Sequence, residues 1–312
     1  MRERTSGYRP DLKRQLSASP CMAYDQDSYL VSVDIGSPKQ TVKLTVDVSS
    51  VYVSLSYEER TLDNDDGSTY SLTYYADDST IQGGETLKND TFGLYDYPTM
   101  SQLGVLGLGF GKGVNSNSSN IIDELVDQGL IQTRAFSLTL GSLRSEEGSL
   151  ILGGVDTKKF SGPLQRLPVV DPPDFRFDYH QTQAPRYWIT IGEATAHQAD
   201  ENMTTFPSFK AMQHSNVELS WLPPDLVNTI AVHFGITRTE GDYYDWYIVP
   251  CGYKNMTGSL DLKFGDLAVS VPYGDLIIQD DAISEYLEGE CYLSVMPRNV
   301  TDDGEIFWLG LW

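Results

Sequence analysis

Two stretches decide how this chain is read: Val42-Lys43-Leu44-Thr45-Val46-Asp47-Val48-Ser49-Ser50 and Ala211-Met212-Gln213-His214-Ser215-Asn216-Val217-Glu218-Leu219-Ser220-Trp221-Leu222-Pro223. In the first, Val42, Leu44 and Val46 alternate with Lys43 and Thr45, the period of two that marks a half-buried strand. That strand runs into the short polar turn Asp47-Val48-Ser49-Ser50. The second stretch does the same, ending in His214-Ser215-Asn216-Val217. Each is followed, well downstream, by an apolar-apolar-Gly triplet: Val105-Leu106-Gly107 in the first half and Trp308-Leu309-Gly310 in the second. An internal duplication is the simplest account.

The remaining pattern is dominated by strands. Candidates cover 29–34, 41–46, 51–56, 70–74, 84–88, 135–140, 149–152, 187–194, 247–250, 259–264 and 267–271, with Gly, Asn, Asp and Pro clustered between them as turns require. Three helical segments are expected. Residues 120–128 place Ile121, Ile122, Leu125 and Val126 on one face, with Asn120 as the cap and Gly129 as the stop. Residues 224–234 begin on Pro224 and group Leu226, Val227, Ile230 and Phe234. Residues 280–288 form an acidic third. Four prolines at 168, 172, 173 and 185 mark a junction. The expected organisation is a basic leader or propeptide remnant over 1–27, an N-terminal β lobe over 28–170, a linker over 171–186 and a C-terminal β lobe over 187–312.

Charge narrows the function classes. The 312 residues hold 22 Lys+Arg against 44 Asp+Glu, a net charge of −22 that repels phosphate backbones and argues against nucleic-acid partners. The first 14 residues run the other way, at +3, and Lys13-Arg14 is a candidate dibasic processing site. No stretch approaches the roughly 18 apolar residues of a membrane helix, and no apolar core of a signal peptide follows the basic start. Five of the ten Asn residues nevertheless sit in Asn-x-Ser/Thr sequons: Asn89, Asn117, Asn202, Asn255 and Asn299. Such sequons are glycosylated only in a secreted chain. Cys251 and Cys291 enclose a loop long enough to bridge, leaving Cys21 over; one disulfide in an oxidising compartment is the reading, with three ordinary thiols as the alternative. A secreted, monomeric protein is expected.

Further motifs resemble the pepsin family of aspartic endopeptidases of fungal type, from about Ser28 to the end. Asp34-Ile-Gly-Ser-Pro-Lys-Gln-Thr41 resembles the family's entry strand and turn, and 42–50 its first active-site strand. Tyr70-Ser-Leu-Thr-Tyr74 resembles the flap hairpin, and Gly104-Val-Leu-Gly-Leu-Gly109 with 121–136 resembles the loop, helix and return strand that follow. Ser149-Leu-Ile-Leu-Gly-Gly-Val-Asp156, Leu167-Pro168 and the gapless match of 211–223 to the second active-site strand complete the set. The resemblance implies a mainly-β, bilobal acid-protease fold with the C-terminal lobe cut short at Trp312. It implies a peptide or protein ligand in a cleft between the lobes, and a Cys251–Cys291 pair.

The family's chemistry needs two carboxylates that share one proton: the ionised one activates water while the protonated one polarises the carbonyl. Each normally sits in Asp-Thr/Ser-Gly-Thr/Ser. Here Asp47 is present with Ser50, but Val48 and Ser49 replace the Thr and Gly. The second Asp is His214, with Ser215 retained and Asn216 and Val217 altering the rest. Tyr74 remains in the flap, whereas the Gly after it is Tyr75 and the supporting Trp aligns with Ser54. The resemblance thus assigns Asp47 and His214 to the catalytic positions, and Tyr74, Ser50 and Ser215 to substrate binding. Three readings follow: a catalytically impaired homologue, an active acid endopeptidase using an Asp47–His214 pair, and a secreted pepsin-fold protein that binds or inhibits a partner. His214 as a satisfied core histidine in a closed pocket is the structural alternative. His180, His197, His214 and His233 have no zinc-site spacing, and neither a Gly-x-Ser-x-Gly nor a phosphate loop occurs, so no metal or cofactor is expected.

Overall fold

Alternating strands this short cannot bury their apolar faces alone, and in this chain they do so in two separate cores. The computed structural model describes residues 16–18, 21–23, 28–35, 40–51, 53–56, 73–81, 86–95, 104–109, 120–139, 148–170, 187–198, 203–215, 219–236, 247–279, 290–298 and 307–310. The chain divides into two compact units, Met1–Gly162 and Pro163–Trp312. The fold is mainly β, as expected.

The first unit is organised by a seven-stranded sheet in the order Cys21–Ala23, Ser28–Ile35, Gln40–Asp47, Gly104–Gly107, Val53–Ser56, Thr86–Tyr95, Thr73–Ile81. Ser28–Ile35 also pairs with Thr73–Ile81, so the sheet closes on itself. Its inner face carries Val31, Val33, Leu44, Val46 and Leu106, all almost fully buried. Each such side chain contributes about 1.5–3 kcal/mol on leaving water. Helix α1, Ile121–Asp127, lays Ile121, Ile122 and Leu125 on the same core. It starts where the Asn120 side chain accepts from the Asp123 N–H at 2.8 Å. It stops at Gly129, whose φ of 68° lies in the left-handed region that a side chain disfavours. A second, three-stranded sheet joins Leu16–Ala18, Ser149–Leu152 and Phe136–Thr139.

The second unit repeats the motif around a five-stranded sheet: Trp188–Ile191, Phe209–Gln213, Phe307–Leu309, Ser220–Leu222, Val295–Pro297. A four-stranded sheet runs Met203–Phe206, Glu193–Gln198, Gly258–Phe264, Leu267–Pro272, and a small one joins Ile248–Pro250, Glu290–Leu293 and Ile277–Ile278. Helix α2, Pro224–His233, buries Leu226, Val227 and Ile230, which its sequence spacing groups, together with Ala231, and Phe234 is buried just past its end. The single strand expected over 187–194 is two strands broken at Gly192. Strand Thr73–Ile81 runs further than the expected 70–74, of which 70–72 lie outside the described residues. The helix expected over 280–288 lies outside the described residues.

Candidate active site

Asp47 is the last residue of its strand, opposite Gly107 of the neighbouring parallel strand. Its side chain is 3% exposed, so a carboxylate there needs donors. The turn supplies them: the Ser49 N–H and the Ser49 hydroxyl donate to Oδ1 at 2.7 and 2.6 Å, and the Ser50 hydroxyl donates to Oδ2 at 2.5 Å. Hydrogen bonds to a carboxylate are worth about 1.5–3 kcal/mol each.

The turn is itself held from outside. Leu108 N–H donates to the Asp47 carbonyl at 2.8 Å, and Gly109 N–H to the Ser50 carbonyl at 2.7 Å. A Cβ on Gly109 would lie 2.8 Å from that Ser50 oxygen, so the backbones approach this closely because residue 109 has no side chain. Buried Asn120 donates its Nδ2 to the Gly109 carbonyl at 2.5 Å while its Oδ1 caps helix α1. One amide side chain fills both roles, Oδ1 accepting and Nδ2 donating, whereas an Asp carboxylate could only accept.

His214 occupies the same place in the second unit, by register on both sides. In the first unit strand Gln40–Asp47 runs parallel to Gly104–Gly107, with Asp47 opposite Gly107, and Ser54 pairs antiparallel with Val105. In the second, Gln213 is opposite Leu309, one step before His214 and Gly310, and Trp221 pairs antiparallel with Trp308. Ser54 lies seven residues after Asp47, as Trp221 lies seven after His214. The half-buried His214 donates its backbone N–H to the Leu309 carbonyl at 3.0 Å. Ser215 is buried, and Ser220 Oγ accepts from Gly310 N–H at 2.8 Å. Asn216 and Val217 lie outside the described residues.

The sequence pattern of the eukaryotic aspartyl protease family matches residues 49–310. The chain belongs to this family. Relatives include the "Probable aspartic-type endopeptidase opsB" of Aspergillus oryzae, 25% identical over 303 residues, covering 85% of this chain and 61% of that protein. The "Acid protease" of Saccharomycopsis fibuligera is 27% identical over 316 residues, covering 91% and 78%. The crystal structure of the aspartic proteinase from Irpex lacteus matches with a TM-score of 0.69 at 19% identity, over 94% of this chain and 91% of that one. The chain spans about three-fifths of the length of opsB.

The other family positions fall as follows. Tyr74 lies in strand Thr73–Ile81 opposite Gly93, its side chain outside the described residues. Cys251 and Cys291 are disulfide-bonded, with Cα atoms 5.0 Å apart. Cys21 opens strand Cys21–Ala23. Of the sequons, Asn255 ends a 3₁₀ turn and is exposed, and Asn89 lies in strand Thr86–Tyr95 with its side chain outside the described residues. Asn117, Asn202 and Asn299 lie outside them altogether. No group of three metal-ligating side chains occurs among the described residues, and no helix there is long and apolar enough to cross a membrane. Sequence reading missed two roles: the second donation to Asp47, from Ser49 Oγ, and the donation of Asn120 to the loop. The signal for Asn120 was an asparagine in place of the Ser or Asp that also cap helices.

Proposed function

We propose that this chain is a secreted, glycosylated, monomeric member of the pepsin family whose peptidase activity is impaired and which retains a peptide or protein ligand. The observation that carries the reading is His214 at the register position of Asp47. The family's reaction needs two carboxylates that divide a single proton between base and acid roles, because two like charges this close do not both ionise. An imidazole has no acidic oxygen to share. On taking up a proton it becomes a cation, so it does not reproduce the carboxylic-acid half of such a dyad. Losing the acid–base relay alone costs about 10²–10⁴ in rate.

A second reading has one observation in its favour. The Asp47 carboxylate keeps three donors from its own turn, as a working carboxylate needs. In that reading Asp47 acts as the base and His214 as the acid.

The deciding experiment is turnover of acid-denatured globin by the purified secreted protein between about pH 3 and 6. Turnover at least ~100-fold below that of an active family member is expected, and His214→Asp alone restores little, because Ser49, Asn216 and Val217 still differ. Robust turnover that a statine-type analogue inhibits and Asp47→Asn abolishes would establish the second reading. An inert protein that captures peptide ligands would place the chain among non-catalytic binders.

A further inference from the structure

The family pattern places glycine two residues after the first Asp, and this chain has Ser49 there. Any residue at that position can bond Asp47 Oδ1 through its backbone N–H, as Ser49 does at 2.7 Å. Serine adds a second donor to the same oxygen, its hydroxyl at 2.6 Å. An ionised carboxylate offers about four acceptor positions, two on each oxygen. Ser49 by itself therefore takes both positions on Oδ1, and the Ser50 hydroxyl takes one on Oδ2 at 2.5 Å.

This arrangement does more than satisfy a buried charge. With glycine at 49, the backbone N–H and the Ser50 hydroxyl would still give Asp47 one donor on each oxygen. The Ser49 hydroxyl is the surplus donor, and it stands where a base needs room. A general base accepts a hydrogen bond, at about 2.6–3.2 Å, from the proton that it removes. At Oδ1 a water molecule must first displace the Ser49 hydroxyl.

That displacement is unfavourable for two reasons. The hydroxyl belongs to the same turn as the carboxylate, so it loses none of the freedom that a captured water molecule gives up. Ser49 is also buried, on a turn whose Asp47 and Ser50 carbonyls are held by the Leu108 and Gly109 N–H groups, so a displaced hydroxyl does not simply turn out into bulk water. We propose that Ser49 is a restraint on Asp47: its hydroxyl occupies the position through which Oδ1 would take a proton. Ser49 acts through Asp47 and is thus a positioning residue, and its effect adds to that of His214. The proposal rests on the reading that the chain's peptidase activity is impaired.

The test returns the second turn, in sequence, to the family's Asp-Ser-Gly-Thr by His214→Asp, Asn216→Gly and Val217→Thr, and then varies residue 49. Full chains with Ser49 kept or changed to Gly, Ala or Thr are shown by thermal unfolding to be folded and assayed on acid-denatured globin. Ser49→Gly and Ser49→Ala should each raise kcat roughly tenfold, about the worth of one hydrogen bond to a charged group, with KM unchanged. Ser49→Thr, which keeps the hydroxyl, should give no gain. An effect of side-chain size alone would not follow the hydroxyl in this way.

Equal kcat with Ser, Gly and Ala at 49, or a gain with Thr, overturns the proposal and leaves His214 as the cause of impairment. If every version is inactive, esterification of Asp47 by a nitrophenyl glycidyl ether decides, mapped by peptide mass spectrometry with Asp123 as the reference. Faster labelling of Asp47 alone in Ser49→Ala than in the natural sequence supports the restraint, and equal labelling overturns it. Robust turnover by the unaltered chain overturns the impaired reading and the restraint together.

Discussion

At the end of strand Gln40–Asp47 a buried carboxylate collects a backbone donor and two hydroxyls from the next three residues. At the equivalent register in the second unit, strand Phe209–Gln213 delivers a half-buried imidazole, and its backbone is tied into the neighbouring strand by the same kind of bond. The frame is therefore shared and the chemistry is not. The ladders need only backbone groups and an apolar face, and both survive whatever side chain stands at the strand's end. A buried carboxylate is more demanding, since each missing donor leaves an uncompensated acceptor. The first turn accordingly keeps hydroxyls at Ser49 and Ser50, and a glycine at 109 against which Ser50 packs.

The largest test of this contrast concerns what holds each unit together. The second unit is stapled by Cys251–Cys291 across 40 residues. Replacing both by Ala should cost about 4 kcal/mol through the larger entropy of the unfolded chain. Urea unfolding that leaves the first unit's transition in place would confirm that the effect is local.

Asn120→Ala comes next in the first unit. It removes a helix cap worth about 1 kcal/mol and leaves the Gly109 carbonyl short of a buried donor, for a further 1–3 kcal/mol or so. Asn120→Asp should keep the cap and lose the second part alone. Equal losses for the two variants would show that the link from helix to turn carries no energy.

Within the turn, Ser50→Ala should lose about 1.5–3 kcal/mol, the worth of one hydrogen bond to a carboxylate. The smallest effect belongs to Ser49→Gly, expected near 1 kcal/mol or below, because the backbone N–H still donates to Oδ1. Chemical denaturation of the two variants side by side ranks them. A larger loss for Ser49→Gly would mean that its hydroxyl, and not the backbone, anchors Asp47.

Much of the frame was legible beforehand because its cause is local. Helix α2 begins on Pro224 and buries the expected face, since both features follow from a fixed φ and a period of 3.6. Strand Met203–Phe206 escaped notice. It is exposed along most of its length, so its Thr-rich sequence shows no alternation. The break at Gly192 was equally hidden: Gly192 donates to the Lys263 carbonyl, a partner 71 residues away that no local pattern announces. At the site, the gapless match of 211–223 named His214, while the register from two neighbouring strands shows that it stands where Asp47 stands.

Sequence alone determined the strand-rich class, the duplicated strand-and-turn motif and the acidic character of the chain. Each is a property of residue order and side-chain type. Tertiary structure decided which groups meet the Asp47 carboxylate, that Asn120 serves helix and turn together, and that the Tyr247 and Tyr273 hydroxyls bond Asn228 and His233 of helix α2. These depend on approaches of a few ångströms between residues far apart in the chain. Backbone closure and core packing set such distances, and composition and periodicity carry no record of them.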